Sequence, residues 1–130
     1  MSKFSFNLKK IMLLLFLLLF LFYVVLFLNT NSVMRCAKAV FLGEISLEEV
    51  VDTPLYRYYP KELEIATTDL SINRIFVVHN FKKGYIWVKY DEERMDSFGN
   101  ILSGSWNVVS RWKIHKQNGE WKVVEIEEDP

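Results

Sequence analysis

The amino-acid sequence predicts an α+β fold that follows an N-terminal transmembrane helix. Residues 11–28 are an unbroken run of 18 apolar side chains, which is long enough for a membrane-spanning helix. After Pro60 the hydrophobic period changes from helical to strand-like, and an Asn-Gly dipeptide at 118–119 is a strong hairpin signal. Helices that precede strands indicate short helices packed on one face of a twisted antiparallel β-meander of roughly four or five strands.

Length and charge divide the chain in two. It has 130 residues, and the part after the apolar run is long enough for one small domain but too short for two. Residues 1–30 contain three lysines and no acid, whereas the remainder holds 13 basic and 16 acidic side chains. This acidic excess argues against nucleic acid as a partner. The single cysteine excludes a disulfide scaffold and a zinc site built from cysteines.

The apolar run predicts a single-pass membrane anchor that begins at Ile11 and ends at Leu28. A helix of this length rises about 27 Å, close to the thickness of the hydrocarbon core of a lipid bilayer. Lys9 and Lys10 directly precede it, and positive charge favours the cytoplasmic side. We therefore expect the N-terminus in the cytoplasm and the rest of the chain on the other side of the cell membrane.

This orientation divides the chain into four segments. Residues 1–10 form the cytoplasmic N-terminus, residues 11–28 the anchor, residues 29–45 a juxtamembrane segment and residues 46–130 an extracytoplasmic α+β domain. Two alternatives stay open. A signal peptide cut near Ser32 would make the protein secreted, and the modest charge bias also allows a domain that faces the cytoplasm.

Three short helices are predicted before the strands. Residues 33–42 carry apolar side chains at helical spacing and predict a juxtamembrane helix. Ser46 and Glu49 have the spacing of a capping box, which marks the start of a second helix. Thr53-Pro54 is a typical helix start, and Pro60 ends this third helix.

The strand region begins with three candidate strands. Residues 62–65 alternate polar and apolar side chains, as an edge strand does. Residues 72–81 are rich in β-branched side chains, and the stretch 75–78 is apolar on both faces, which predicts a central strand. Gly84 predicts a break in the chain before the aromatic and β-branched run at 85–90.

The last hairpin has the clearest pattern. After a turn signal at 97–100, residues 101–116 predict a long strand whose even positions are buried, with a bulge or bend at Gly104. The Asn118-Gly119 turn then returns the chain into a final strand over 121–126. The sequence leaves the register open, because a two-residue turn and a bulged turn pair the strands differently.

The strand pattern of the C-terminal half resembles that of the nuclear transport factor two-like superfamily, which includes the SnoaL-like and cystatin-like folds. The resemblance covers residues 72–130 and rests on the segments 85–91, 97–100, 106–116, 118–119 and 121–128. It implies a cone-like sheet whose concave face holds small ligands, dimer contacts or protein partners. Singly anchored, exported relatives include parts of larger assemblies, such as inner-membrane subunits of type IV secretion systems.

Candidate site residues are few. Enzymes with a cone of this kind use carboxylates, His or Tyr for acid–base chemistry, so the resemblance implies His79, Tyr90 and Asp91 as candidate binding residues. His79 also fits a hydrogen-bonded histidine of the core or rim, and Asp91 belongs to an acidic run typical of a solvated face. His115 lies on the polar face of its strand. No motif for a metal, a cofactor or a catalytic nucleophile is present in the sequence.

These observations lead to a functional hypothesis with alternatives. The first is a non-enzymatic, single-pass protein of a bacterial cell envelope, whose extracytoplasmic domain binds a protein partner or a second copy of itself. The second is a cone that binds a small ligand or acts as a SnoaL-like enzyme through His79 or Asp91. A cone filled by its tryptophans would favour the first hypothesis, and an open cavity beside either candidate would favour the second; the tryptophans are Trp87, Trp106, Trp112 and Trp121.

Overall fold

A computed structural model describes the backbone of residues 2–129 and the side chains of residues 7–129. Two helices come first, followed by two short helical turns and then four strands. The elements in chain order are α1 (Ser2–Asn29), α2 (Asn31–Phe41), α3 (Leu47–Val50), a 3₁₀ helix (Pro54–Tyr58), β1 (Thr67–His79), β2 (Lys83–Met95), β3 (Ile101–Gln117) and β4 (Glu120–Glu128).

The four strands form one open antiparallel sheet in the order β1-β2-β3-β4. The predicted fold class, an α+β fold with an antiparallel meander behind a long apolar helix, is confirmed. One face of the sheet, here the inner face, is covered by α2 and the 3₁₀ helix. The core lies between them, and its largest fully buried side chains are Trp112, Phe41 and Ile86. On the opposite, outer face α1 meets the sheet at the β1 edge, where Tyr23 stacks on Phe76.

Helix α1 extends beyond the predicted anchor at both ends and is the one helix in the described residues that is long and apolar enough to cross a membrane. Its side chains from Ile11 to Phe22 are exposed on all sides. Only its last two turns contact the domain, where Leu26 is 7% exposed. Helix α2 confirms the predicted juxtamembrane helix and ends before Gly43, which adopts a φ of 71°.

The capping box at Ser46 is not formed. Ser46 makes no hydrogen bond through its side chain, although its carbonyl accepts from the Glu49 N–H. The hydroxyl of Thr53 likewise donates back to the carbonyl of Val50, 2.7 Å away, instead of capping the 3₁₀ helix. Helices of only four and five residues need little side-chain capping, because their backbone groups stay near solvent or bond within the turn.

Two strand predictions are wrong. Residues 62–65 form a turn and not an edge strand, because pairing with β2 begins only at Ala66, whose N–H donates to Met95. Beyond Met95 the chain turns away, so earlier residues have no strand to pair with. The stretch 75–78 lies on the edge strand β1 and not at the centre of the sheet. Its side chains are apolar on both faces, but only Val77 packs in the core, and its three neighbours in this stretch are exposed.

The predicted bulge of β3 lies three residues further along the strand. Tyr90 pairs with Val108 but Glu92 pairs with Ser105, so the extra residue falls at Asn107, which has a φ of 54°. The bulge exchanges the faces of β3. Even positions are buried after it, as predicted, whereas before it Trp106 turns to the outer face and lies over Gly104.

The Asn118-Gly119 hairpin is a two-residue turn in which both residues have positive φ, 54° and 80°. Ile114 therefore pairs with Val123, as a two-residue turn requires. Between Ile114 and Lys113 a bulge shifts the register by one residue, so that Trp112 pairs with Ile126. Neither of the two predicted registers describes the whole hairpin.

Gly84 does not break the chain but lies inside β2, where a side chain has no room. A Cβ at this position would lie 2.1 Å from the Val78 carbonyl oxygen and 2.4 Å from the His79 Cβ. We expect Gly84→Ala to lower the free energy of unfolding by about 3 kcal/mol, because the β1–β2 pairing must open to admit the methyl group.

Gly99→Ala is the matched control for this prediction. Gly99 has a φ of 82° but nothing within 4 Å of the added Cβ, so only backbone strain of about 1 kcal/mol is expected. Chemical denaturation followed by tryptophan fluorescence measures both variants. Equal losses of stability would contradict the crowding at Gly84.

Candidate functional site

The C-terminal end of α1 is held by a half-buried arginine of the sheet. Arg74 donates to the Phe27 carbonyl at 2.6 Å and to the Thr30 hydroxyl at 2.9 Å through Nη1, and to the Asn31 side-chain oxygen at 2.6 Å through Nη2. The last carbonyls of a helix have no partner within the helix, and a positive charge is favourable at this end. Partial burial lowers the pKa of Arg74. Arg74 therefore acts as a cap for α1.

His79 makes a second contact to the same helix end. Its Nδ1 accepts from the Phe81 N–H at 2.9 Å, so Nε2 carries the proton and donates to the Leu26 carbonyl at 2.8 Å. The ring also packs edge-on against Trp121, with centroids 4.9 Å apart. Trp121 in turn donates to the Asn29 side chain at 2.9 Å. Both nitrogens of His79 are thus engaged, and it joins the sheet to α1.

Aromatic contacts extend this junction toward the middle of α1. Tyr23 stacks on Phe76 with centroids 5.8 Å apart, and its hydroxyl oxygen accepts from the Val77 N–H at 3.3 Å. One residue earlier, Phe22 contacts Phe81 of the β1–β2 turn, with centroids 6.4 Å apart. The helix end therefore runs against the edge of β1, and the sheet reaches about two turns along it.

Hydrogen-bonded polar side chains form a second layer on the inner face of the sheet, around Glu128 of β4. The Glu128 carboxylate accepts from the Tyr58 hydroxyl at 2.7 Å, from the Tyr90 hydroxyl at 3.0 Å and from Arg57 at 3.3 Å. Burial raises the pKa of both tyrosines far above the usual range, and the neighbouring carboxylate adds to the effect. Tyr90 is therefore a neutral donor that ties β2 to the C-terminal strand.

A buried ion pair lies beside this layer. Arg94 donates to the carbonyls of Phe41 at 3.1 Å and Tyr58 at 2.6 Å, which are the last residues of α2 and the 3₁₀ helix. Its partner Glu92 lies 3.3 Å away. Burial raises the pKa of Glu92, and the opposing effect of Arg94 is smaller. Both side chains fix the two helices on the sheet.

Asp91 lies on the outer face and supports the β3 bulge. Its Oδ1 accepts from the Asn107 N–H at 2.5 Å, and the neighbouring Glu93 accepts from the Trp106 indole at 2.9 Å. These groups line a shallow depression of about 340 Å³. Because successive strand residues point to opposite faces, Tyr90 and Asp91 cannot share a site.

The three predicted site residues are thus not brought together. His79 lies at the helix junction, Tyr90 in the inner polar layer and Asp91 on the outer face. In the described part of the chain, no three metal-ligating side chains come together. His115, which the sequence places on the polar face of its strand, is half-buried and therefore not fully exposed to solvent.

A groove lies elsewhere, between helices α2 and α3 and the β3–β4 hairpin. Its volume is about 1100 Å³, and its apolar lining includes Val50, Leu55, Trp121 and Val123. None of the three predicted site residues lines it. Cys36 opens onto the groove as an exposed thiol.

The outer face of the sheet exposes an apolar surface. Two of the four tryptophans lie on this face, Trp106 at 56% exposure and Trp87 half-buried against Phe76. Trp112 and Trp121 do fill the inner face. The exposed apolar side chains, here called the outer patch, are Ile75, Phe76, Val78 and Val109.

Three charged residues that join the elements were not among the predicted site residues: Arg74, Arg94 and Glu128. They lie at inward strand positions, although charged side chains are normally expected to face solvent. One signal was present: Glu92 and Arg94 continue the even-numbered inward series of β2 beyond Tyr90. No such signal marks Arg74, whose partners lie on a different element.

Comparison with protein-family models, with curated proteins and with solved structures found no match to this chain. The resemblance to the nuclear transport factor two-like superfamily stays a prediction.

Replacing the cap of α1 tests the junction. We expect Arg74→Met, which keeps the apolar stem but leaves the Phe27 carbonyl without its charged donor, to lower the free energy of unfolding by about 3 kcal/mol. The measurement is chemical unfolding of the full chain in detergent. Lys89→Met, an exposed change on the adjacent strand, is the control. A loss no larger than in this control would contradict the capping role.

The raised pKa of Glu92 predicts a pH dependence of stability. In the unfolded chain its pKa is near 4.5 and in the folded chain it is higher, so the folded state favours the protonated form. This contribution is fully present below pH 4.5 and is lost as the pH rises through the folded pKa.

Glu92→Gln removes this contribution. We expect the difference in unfolding free energy between wild type and Glu92→Gln to shift in favour of the variant as the pH rises from 4.5. Denaturation at a series of pH values measures it, with the exposed Glu125→Gln as the control. Parallel pH profiles for wild type and Glu92→Gln would show that the prediction is wrong.

Proposed function

We propose that this chain is a single-pass protein of the cell membrane whose extracytoplasmic domain is an assembly module. It binds another protein through the outer face of its sheet, and a second copy of the chain is the partner to test first. The observation that carries this proposal is the outer patch, whose apolar side chains stay exposed although α1 contacts one of them, Phe76, through Tyr23.

The outer patch has the composition of a contact surface. Its members are between 44% and 53% exposed, and the rings of Tyr85 and Trp87 lie between β1 and β3, with centroids 6.0 Å apart. Contiguous apolar surface on a soluble domain is typical of protein–protein contacts. The register places Val109 of β3 opposite Lys89 of β2, so charged side chains border the apolar centre, as in many interfaces.

The junction with α1 supports an anchor that stays attached. A cut near Ser32 would remove the Phe27 carbonyl from Arg74, the Leu26 carbonyl from His79 and Asn29 from Trp121. Buried polar groups left without partners are costly. Domains exported with a cleaved signal peptide fold without it, so these contacts favour the membrane-anchored form over the secreted alternative.

The inner face favours a structural role over an enzymatic one. Phe41, Tyr58 and Trp112 stack together there, with Phe41 and Tyr58 centroids 4.4 Å apart, and occupy the space in which a cone would hold a ligand. His79 and Tyr90 already use their polar atoms within the fold.

Site-directed cross-linking tests the assembly module. The full chain carries Cys36→Ser, which removes its single cysteine, and Val109→Cys in the outer patch. We expect oxidation in native membranes to give a disulfide-linked species of higher mass, because a partner would bring a thiol within bonding distance; a homodimer is the simplest case. A bifunctional thiol–amine cross-linker extends the test to a different protein.

Leu63→Cys in the same background is the control, since Leu63 is fully exposed on the turn before β1 and outside the outer patch. Val109→Asp should abolish the association, seen as a fall in mass by light scattering of the full chain in detergent. Equal cross-linking at both positions, or none at Val109, would show that the outer face is not an interface.

A further inference from the structure

We propose that the end of the sheet beside α1 is a second membrane contact, which binds the anionic lipid headgroups of the outer leaflet. This end, here called the basic tip, consists of the β1–β2 turn at residues 80–83 and the β3–β4 turn region at residues 115–122. The inference rests on the proposed membrane anchor and goes beyond the proposed assembly role.

The depth of the contact with α1 supports this inference. Phe81 in the first turn touches Phe22, which lies six residues before Leu28, the end of the apolar run. Six residues of helix correspond to about 9 Å. If residues 11–28 span the hydrocarbon core, the Phe81 ring lies below its surface, and the long stems of the flanking lysines carry their ammonium groups back to the headgroups. Phe81 is 38% exposed and lies where aromatic side chains are favoured at membrane interfaces.

The first turn presents its lysines around this aromatic ring. The Asn80 side-chain oxygen accepts from the Lys82 and Lys83 N–H groups, each at 3.0 Å. Phe81 consequently adopts a φ of 68°, a conformation that is uncommon for an aromatic residue. The turn is therefore held in one shape, with both lysine side chains exposed beside Phe81.

The second turn lies directly alongside the first. The Lys116 N–H donates to the Lys82 carbonyl at 2.8 Å. The Lys116 ammonium lies 5.2 Å from the centre of the Trp121 ring, and Trp121 donates to Asn29 at the end of α1. Lysines and aromatic rings are thus collected at one level, which is the composition of a membrane interface.

The charges of the domain are distributed to suit an anionic membrane. The basic tip contains four basic residues and one acid, whereas the far end of the sheet contains seven acids and one basic residue over residues 62–71 and 91–106. Anionic headgroups attract the first end and repel the second. The same field would hold the domain upright, with Val109 of the outer patch on β3, two strands away from the edge that contacts α1.

Depth-dependent fluorescence quenching tests the contact. The full chain with Cys36→Ser carries an environment-sensitive fluorophore at Gln117→Cys in the basic tip or at Phe98→Cys in the distant turn, both exposed positions. It is reconstituted into vesicles of phosphatidylcholine, with or without phosphatidylglycerol. We expect nitroxide-labelled lipids to quench the first label and aqueous iodide to quench the second.

Charge variants separate headgroup binding from simple proximity. Lys82→Gln with Lys83→Gln should reduce the ratio of docked to undocked domain about 30-fold in vesicles that contain phosphatidylglycerol. Lys38→Gln with Lys61→Gln removes the same charge from exposed positions outside the tip and should change little. Equal effects of the two double variants, or equal quenching with and without phosphatidylglycerol, would overturn the headgroup contact.

Flotation of the vesicles keeps the two proposals apart. Recovery of the chain with the lipid shows that the anchor is inserted, whatever the labels report. Equal access of iodide to both labels in floated vesicles would overturn the basic tip and leave the anchor intact. Chain that stays at the bottom of the gradient would overturn the anchor and with it the inference.

Discussion

The capping of the apolar helix α1 by the sheet is the interaction on which the rest of the structure depends. The last carbonyls of α1 need donors, and they find them in the Arg74 guanidinium and the Nε2–H group of His79. Because these donors lie on β1, the helix and the sheet form one body and not a domain on a flexible tether. The position of every face of the sheet relative to α1 follows from this junction.

As a consequence, the two faces of the sheet make different contacts. The inner face is closed by helices that Arg94 holds through their terminal carbonyls, and Glu128 joins the last strand to the same layer. These polar contacts hold the helices on the inner face in one arrangement. The outer face and the basic tip are the surfaces that we propose to bind a protein partner and anionic lipid.

The sequence pattern predicted most of the elements, but it did not predict the features that depend on pairing between distant residues. Residues 33–42 and the Asn118-Gly119 turn were predicted correctly, because helical spacing and positive φ are local properties. The strand predicted at 62–65 does not form, because a strand needs a partner and β2 ends opposite Thr67. The sequence also did not show that the candidate site residues lie apart, because a list of acid–base side chains does not reveal which hydrogen bonds they make within the fold.

The sequence by itself determined the apolar helix, the order of helices before strands and the α+β class, because these depend on composition and on the periods of neighbouring residues. Only the tertiary structure decided that β1 lies at an edge, that the bulge falls at Asn107 and that Trp106 faces outward. It also decided that Arg74 caps α1. The physical reason is that pairing register and burial depend on partners distant in the sequence, such as Asp91 for Asn107 across 16 positions and Thr30 for Arg74 across 44.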